Sequence, residues 1–318
     1  MLKKIINKIK EILENNKRIV QNLSYLSVLQ IFNMLIPLLT YPYLIRVLGK
    51  ETYGLVVFAQ ATIGYLVILV SFGFNISATK QISENRDDRG KVNEIVSNVF
   101  ILKGILFVMS VVLLIFIMSF YNNVGNYQIL FYLTLYLCVY EWLFPIWYFQ
   151  GLEEMKYITI LNVISRSIFL ILIFVLIKSE EDYLLYPLIS GIGAIVASAL
   201  ALVIVFGNHG VKLQKTSIKR LKFYIKESIP IFISNISIKL YVNSNKIIIG
   251  SFLGMDDVAY YDLGEKLVSL LKMPQGIFSQ VLFPKISKSK DIKFVRKIFK
   301  FSVFLNIGLY VLLLIAIE

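Results

Sequence analysis

From Ile105 to Phe120 the chain runs without a charged residue. Apolar runs of this kind recur along the whole sequence, long enough to cross a hydrocarbon core of about 30 Å as helices. In hydrocarbon every backbone polar group must be satisfied inside the chain, and a helix does that within one segment. The runs fall at 23–47, 53–74, 97–120, 127–150, 158–178, 183–207, 228–253, 257–284 and 298–317, nine in all. Hydrophobic residues make up 57% of 318 and charged residues only 17%, where a soluble domain carries about 25% charge. The expected fold is therefore all-α and polytopic, set in a membrane.

The charges that remain are sorted by side. One set of connectors is basic: the N-terminal tail, 75–96 with Lys80, Arg86, Arg89 and Lys91, the short 151–157, 208–227 with six Lys or Arg, and 285–297 with six more. The other set consists of turns of a few residues, where Lys50 stands against Glu51, Glu180, Glu181, Asp182, Asp256 and Asp257. By the positive-inside rule the N-terminus and the basic connectors face the cytoplasm. The net charge of +13 is thus spent on topology and does not indicate nucleic acid. Residues 1–21 place Leu2, Ile5, Ile6, Ile9, Ile12 and Leu13 on one face with lysines around the rest. This predicts an amphipathic helix lying on anionic membrane lipids.

Catalytic chemistry finds little to work with. One cysteine, Cys138, and one histidine, His209, leave no disulfide, no multi-cysteine metal site and no paired-histidine site. His209, beside Asn208 and Gly210, is expected to be a solvated loop residue. No catalytic residue, metal or cofactor is predicted.

The seventh and eighth runs differ from the others. Asn235, Lys239, Asn243, Lys246 and Gly250 form a polar stripe on one face of the seventh. Asp262, Glu265, Ser269, Lys272, Gly276 and Ser279 do the same on the eighth. A membrane helix with such a stripe faces water or cargo rather than lipid.

An internal repeat orders the runs. Shifted by 205 residues, Leu48-Gly49 falls on Leu253-Gly254, Glu51 on Asp256, Lys80 on Lys285, Gln30 on Asn235 and Tyr41 on Lys246. The repeat is parallel, with six spans per unit. It predicts an N-lobe over 22–207, a basic linker over 208–227 and a partial C-lobe over 228–318. A six-plus-six design expects twelve spans, so the C-lobe is expected to be incomplete. Gln30 and Tyr41 then line the same cavity as Asn235, Asn243 and Ser269.

Three short motifs carry a resemblance. Tyr43-Leu-Ile-Arg-Val-Leu-Gly-Lys-Glu-Thr-Tyr-Gly54, Trp147-Tyr-Phe-Gln-Gly151 and Phe283-Pro-Lys-Ile-Ser287 resemble signatures of the Wzx-type O-antigen and capsule flippases. These form the polysaccharide-transport branch of the MOP superfamily, which includes MATE exporters. The resemblance implies two six-helix lobes around a cavity open alternately to each side of the bacterial plasma (inner) membrane. The implied cargo is an undecaprenyl-diphosphate-linked oligosaccharide, with a polysaccharide polymerase and a chain-length regulator as partners. The rivals are a MATE-like drug or cation antiporter, which would want acidic cavity residues, and an O-antigen polymerase or membrane glycosyltransferase. The enzymes would want a sizeable outer loop, and no outer turn here is much longer than six residues.

The intramembrane charges follow from that frame. A lysine or aspartate at the helix centre costs about 2.5–3.5 kcal/mol, so each must be paired or hydrated. Lys246 and Glu265 share a depth on adjacent helices, as do Glu141 and Arg166, and each couple is expected to form an ion pair. Asp262, Glu141 and Glu265 are the alternative proton carriers. Lys103, near the start of the third run, is expected to snorkel to the headgroups, and Arg46 to anchor a helix end. Lys239 and Lys272 lie near the midplane away from acids, and with Lys246 in support they are the expected diphosphate contacts. Tyr136, Tyr140, Trp142, Trp147 and Tyr148 are expected to serve mainly in packing, with sugar stacking as the alternative. Gly64, Gly73, Gly104, Gly191 and Gly193 are expected to allow close helix approach.

Overall fold

The computed structural model describes residues 17–120, 127–269, 303 and 308. The first helix, α1, is Lys17–Leu48, and α2 follows at Lys50–Ser71 after a turn at Gly49, whose φ of 79° suits glycine. Then come α3 (Phe74–Glu84), α4 (Arg89–Phe120), α5 (Gln128–Thr134), α6 (Tyr136–Leu143), α7 (Ile146–Gly151) and α8 (Met155–Leu176). A 3₁₀ turn at Glu180–Leu184 leads into α9 (Leu185–Leu202), which ends in a π turn at Val203–Asn208. The long α10 is Ile218–Phe252, and 255–269 is helical again. No strand occurs among the described residues.

Six stretches are long and apolar enough to cross a membrane: Ser24–Leu48, Lys50–Glu84, Arg89–Ser119, Gln128–Gly151, Met155–Leu176 and Glu180–Asn208. They correspond to the first six expected runs, and the protein is an all-α, multi-pass membrane protein. The seventh run is a helix, α10, whose lysines and asparagines keep it out of that apolar set. Most of the eighth run, the ninth, residues 1–16, Lys272 and the Phe283–Ser287 motif lie outside the described residues.

Two expectations about connectors need correction. The segment 75–96 is not a loop: α3 and the first turns of α4 occupy it, leaving only 85–88 between helices. Likewise α10 begins at Ile218, capped by the Ser217 side chain, inside the expected 208–227 linker. Basic residues here lie within helices rather than between them. Two expected runs are also broken. The second bends at Phe72 (φ 43°) and Gly73 (φ 78°), and the fourth is divided at Leu135 and at Phe144-Pro145. Pro145 lacks the N–H that would continue the helix.

The chain divides into two compact units, Met1–Ala259 and Tyr260–Glu318. In the first, α10 runs antiparallel to α2 and packs along it. Glycine permits that approach: a Cβ on Gly54 would lie 1.8 Å from the Met255 carbonyl oxygen, and one on Gly250 2.4 Å from the Phe58 ring. Midway, Gly64 faces Asn243, and Tyr65 Oη lies 2.9 Å from Ser244 Oγ. Near the bend, Phe72 stacks on Phe232 at 4.5 Å and Ser77 Oγ lies 2.6 Å from Ser228 Oγ. Gly104, Gly191 and Gly193 similarly meet Trp142, Tyr136 and the Ser165 carbonyl. The expected role of these glycines in close packing is what the helices show.

The core of this unit has two clusters. One joins Phe74, Ile82, Val99, Trp147, Phe149 and Ala197 at the end bearing the basic connectors. The other joins Val56, Ile63, Leu114, Leu130, Phe131 and Cys138 toward the opposite, acidic end. Polar side chains enter between them.

Candidate functional site

The first polar group is built on α8. Asn162, Ser165, Arg166 and Phe169 follow spacings of 3, 1 and 3, so they share one helix face. Tyr136, Leu137 and Tyr140 of α6 and Tyr186, Ser190 and Ala194 of α9 complete the walls of a cavity of about 220 Å³. Gly193 makes the geometry possible, because a Cβ there would sit 2.6 Å from the Ser165 carbonyl oxygen. Tyr140 Oη donates to Asn162 Oδ1 at 2.8 Å, and Phe169 meets Tyr186 edge-on at 5.4 Å. The Arg166 guanidinium lies near the Tyr136, Tyr140 and Tyr186 phenols. No carboxylate pairs with it among the described residues.

The expected Glu141–Arg166 pair therefore does not form. Glu141 is taken by Lys103, whose Nζ lies 2.8 Å from Glu141 Oε1 and 2.9 Å from the Glu141 carbonyl oxygen. Lys103 is fully buried, so the expectation that it snorkels to the headgroups is also corrected. Asn75, just past the α2–α3 bend, closes the network: its Oδ1 accepts from Lys103 at 3.1 Å and its Nδ2 donates to Glu141 at 2.9 Å. The bend between α2 and α3 places Asn75 there, beside two helices that carry opposite charges.

On α10, Asn235, Asn243 and Lys246 are half-buried, and Asn243 packs against Gly64 of α2. The Lys239 side chain lies outside what the structure describes. Gln30 is half-buried on α1. Tyr41 is buried, edge-on to Tyr53 at 5.0 Å, with its hydroxyl donating to the Ala259 carbonyl. In the second unit Asp262 is buried and Lys266 Nζ reaches its Oδ2 at 2.6 Å, while Glu265 is half-buried and Ser269 exposed. This i, i+4 pair stabilises that helix locally.

His209 is not the solvated loop residue expected. Its Nδ1 lies 3.0 Å from Tyr148 Oη, its Nε2 3.6 Å from Glu154 Oε2, and its ring is flanked by Phe149 and Tyr157. It borders a second cavity of about 350 Å³ with Arg86, Arg89, Asn93 and Asn208. Of the fourth-run aromatics, Trp142 packs on Gly104 and donates to the Phe100 carbonyl at 3.1 Å, and Trp147 and Tyr148 are core residues. Tyr136 and Tyr140 alone of the five line the Arg166 cavity.

The pocket residues missed in the sequence are Asn162, Ser165, Tyr186 and Ser190. Their signal was there: polar residues at helical spacing around a mid-helix arginine.

The motifs gain physical reasons. In the first, Tyr43 Oη donates to the Ile177 carbonyl at 2.6 Å, Thr52 Oγ1 donates to Glu180 Oε1 at 2.6 Å, and Gly54 admits Met255. It is a joint holding α1, α2, the end of α8, the 3₁₀ turn and the start of the helix that follows α10. In the second, Gly151 lets α7 lie on Ile82 and Thr79 of α3.

Known proteins resemble this chain over most of its length. Residues 19–290 match the family described as "Polysaccharide biosynthesis protein". A protein of Escherichia coli (strain K12) named "Putative O-antigen transporter" is 30% identical over 269 residues, covering 85% of this chain and 65% of that protein. One of the same name from Shigella dysenteriae is 28% identical over 272 residues, covering 84% and 67%. The chain thus spans about two thirds of the length of these relatives. No solved structure matches it. With the family match running from the first helix through the whole described bundle, the chain belongs to the polysaccharide biosynthesis protein family.

Proposed function

We propose that this chain carries the transport activity for which its relatives are named, moving undecaprenyl-diphosphate-linked oligosaccharide repeat units across the bacterial plasma membrane. The observation that carries the reading is the family match over 19–290 on a six-span helical bundle. The N-terminus is cytoplasmic, following the basic connectors. Two lobes, divided near 208–227, alternate in access, and no bond is made or broken. Lys239 and Lys272, with Lys246 in support, hold the diphosphate as point charges in a poorly hydrated space. The polymerase and chain-length regulator act on the exported unit.

The test is loss of the gene in its own host. Loss of a flippase accumulates single lipid-linked repeat units on the cytoplasmic face; units found outside instead would point to a polymerase. A Lys239→Gln/Lys272→Gln double variant is expected to lose surface polysaccharide while inserting normally. Normal polymer in that variant removes the headgroup assignment and leaves the transport reading standing.

A further inference from the structure

We infer that the start of α10 is a docking face for anionic phospholipid, where Lys219, Lys222 and Lys226 meet the phosphodiester headgroups of the leaflet at the basic end of the bundle. The inference goes beyond the transport reading and stands without it. It concerns lipid that surrounds the protein, not cargo that crosses.

Pairing is the first argument. Four other cations at this end have acids beside them: Lys80 lies 4.0 Å from Glu84, Arg86 3.7 Å from Glu153, Lys91 3.4 Å from Glu94 and Arg220 3.8 Å from Glu94. Lys219, Lys222 and Lys226 are exposed, and none of them pairs with a carboxylate among the described residues. Between Lys212 and Glu227 the sequence holds no acid until Glu227 itself. Cations left in this state attract the phosphates of an anionic leaflet.

The face supplies the second. The three lysines follow spacings of 3 and 4, so they share one side of the helix. Ile229 and Ile233, both exposed, follow Lys222 and Lys226 by seven residues and continue that side along α10. The opposite side is turned to the bundle, with Tyr224 and Ser228 buried and Leu221 packed on the core. Cations followed by apolar side chains on one face match the headgroup and acyl regions of one lipid layer. An acidic protein or a soluble anion would match the lysines and leave the isoleucines uncovered. The face is also held in place: Ser217 caps the helix, and the connector before it is tied to Asn93, Ser97 and Asn98 of α4. Side chains on a fixed helix lose less freedom on binding than those on a slack loop.

Depth supplies the third. The helix Ile218–Phe252 is about 52 Å long, against a hydrocarbon core of about 30 Å. Residues 218–227 precede its apolar run and rise about 15 Å, enough to pass through a headgroup layer of about 5–8 Å. Lys222 and Lys226 fall at the level of the phosphates, with Lys219 about one turn further out.

The experiment uses the full chain in detergent micelles, with phosphatidylglycerol and phosphatidylcholine competing for it and the retained lipid counted by native mass spectrometry. Each such lysine contributes about fivefold to partition onto an anionic surface. The parent protein is expected to prefer phosphatidylglycerol more than about tenfold, and Lys219→Gln/Lys222→Gln/Lys226→Gln to lose at least about tenfold of that preference. The corresponding triple arginine variant, which keeps the charges, is expected to retain it. So is Lys80→Gln/Lys91→Gln, which removes lysines that already have acids. Equal losses in the two glutamine variants mean that only the net charge of this end matters, and they overturn the inference. Loss in the arginine variant shows that charge is not the determinant and overturns it as well. No preference in the parent, or a preference unchanged in the triple glutamine variant, does the same. Farnesyl diphosphate bound at these lysines where phosphatidylglycerol is not assigns the face to a polyprenyl diphosphate and also overturns it.

Discussion

Lys103 and Arg166 are cations in one bundle, both well inside helices, yet their surroundings are opposite. Lys103 has a carboxylate, a carbonyl and an amide oxygen within 3.1 Å, and its side chain is 1% exposed. Arg166 has phenols, hydroxyls and a cavity. The lysine is spent on holding α3, α4 and α6 together. The arginine is left for something else. The difference teaches that a charge in a membrane helix is assigned by the azimuth of its neighbours as much as by its depth.

The sharpest break of that comparison is Lys103→Met. It strands Glu141 in the bundle, and the expected loss is about 3–5 kcal/mol, read as a lower melting temperature by fluorescence-detected size exclusion. The double variant Lys103→Met/Glu141→Met removes both charges, and should recover more than half of that loss. A double variant as unstable as the single one would mean the pair itself, rather than the avoidance of a lone charge, holds these helices. Asn75→Leu takes one donor from Glu141 and one acceptor from Lys103, for an expected cost of about 1–3 kcal/mol in the same assay. Arg166→Gln comes last, with stability expected within about 0.5 kcal/mol of the parent. A loss as large as that of Lys103→Met would make Arg166 a second structural cation and erase the contrast.

These residues also mark where sequence reasoning reached its limit. The six apolar spans were legible because each is a one-dimensional property of a run. Matching Glu141 to Arg166 used the same single dimension, depth, and failed because rotation about the helix axis decides which side chains meet. The apolar pattern places the start of the third span at 97 and Lys103 near its end, whereas α4 starts at Arg89, which sets the lysine about 21 Å along the helix. Basic residues read as loops in a hydropathy pattern, yet those of 75–96 lie mostly in α3 and α4. The bend at Phe72-Gly73 had only one glycine to announce it, although Pro145 was a fair warning for the fourth span. The cavity residues other than Arg166 and the two tyrosines went unread because serine and asparagine in a membrane helix carry no obligatory role.

The segment before α10 has a mechanical side. Lys212 N donates to Asn93 Oδ1 at 3.0 Å, Gln214 N to Ser97 Oγ at 2.7 Å, and Thr216 Oγ1 to Asn98 Oδ1. The connector is stitched to α4 up to the residue before the Ser217 cap, so it offers no slack. The helix beyond it, Ile218–Phe252, is about 52 Å long, held by this stitch at its start and packed along α2 as far as Gly250, which meets Phe58. A tilt of only about 10° at the stitch would carry the far tip sideways by about 9 Å over such a length. Because the seam with α2 runs the same length, a stroke of that size would have to carry α2 with it.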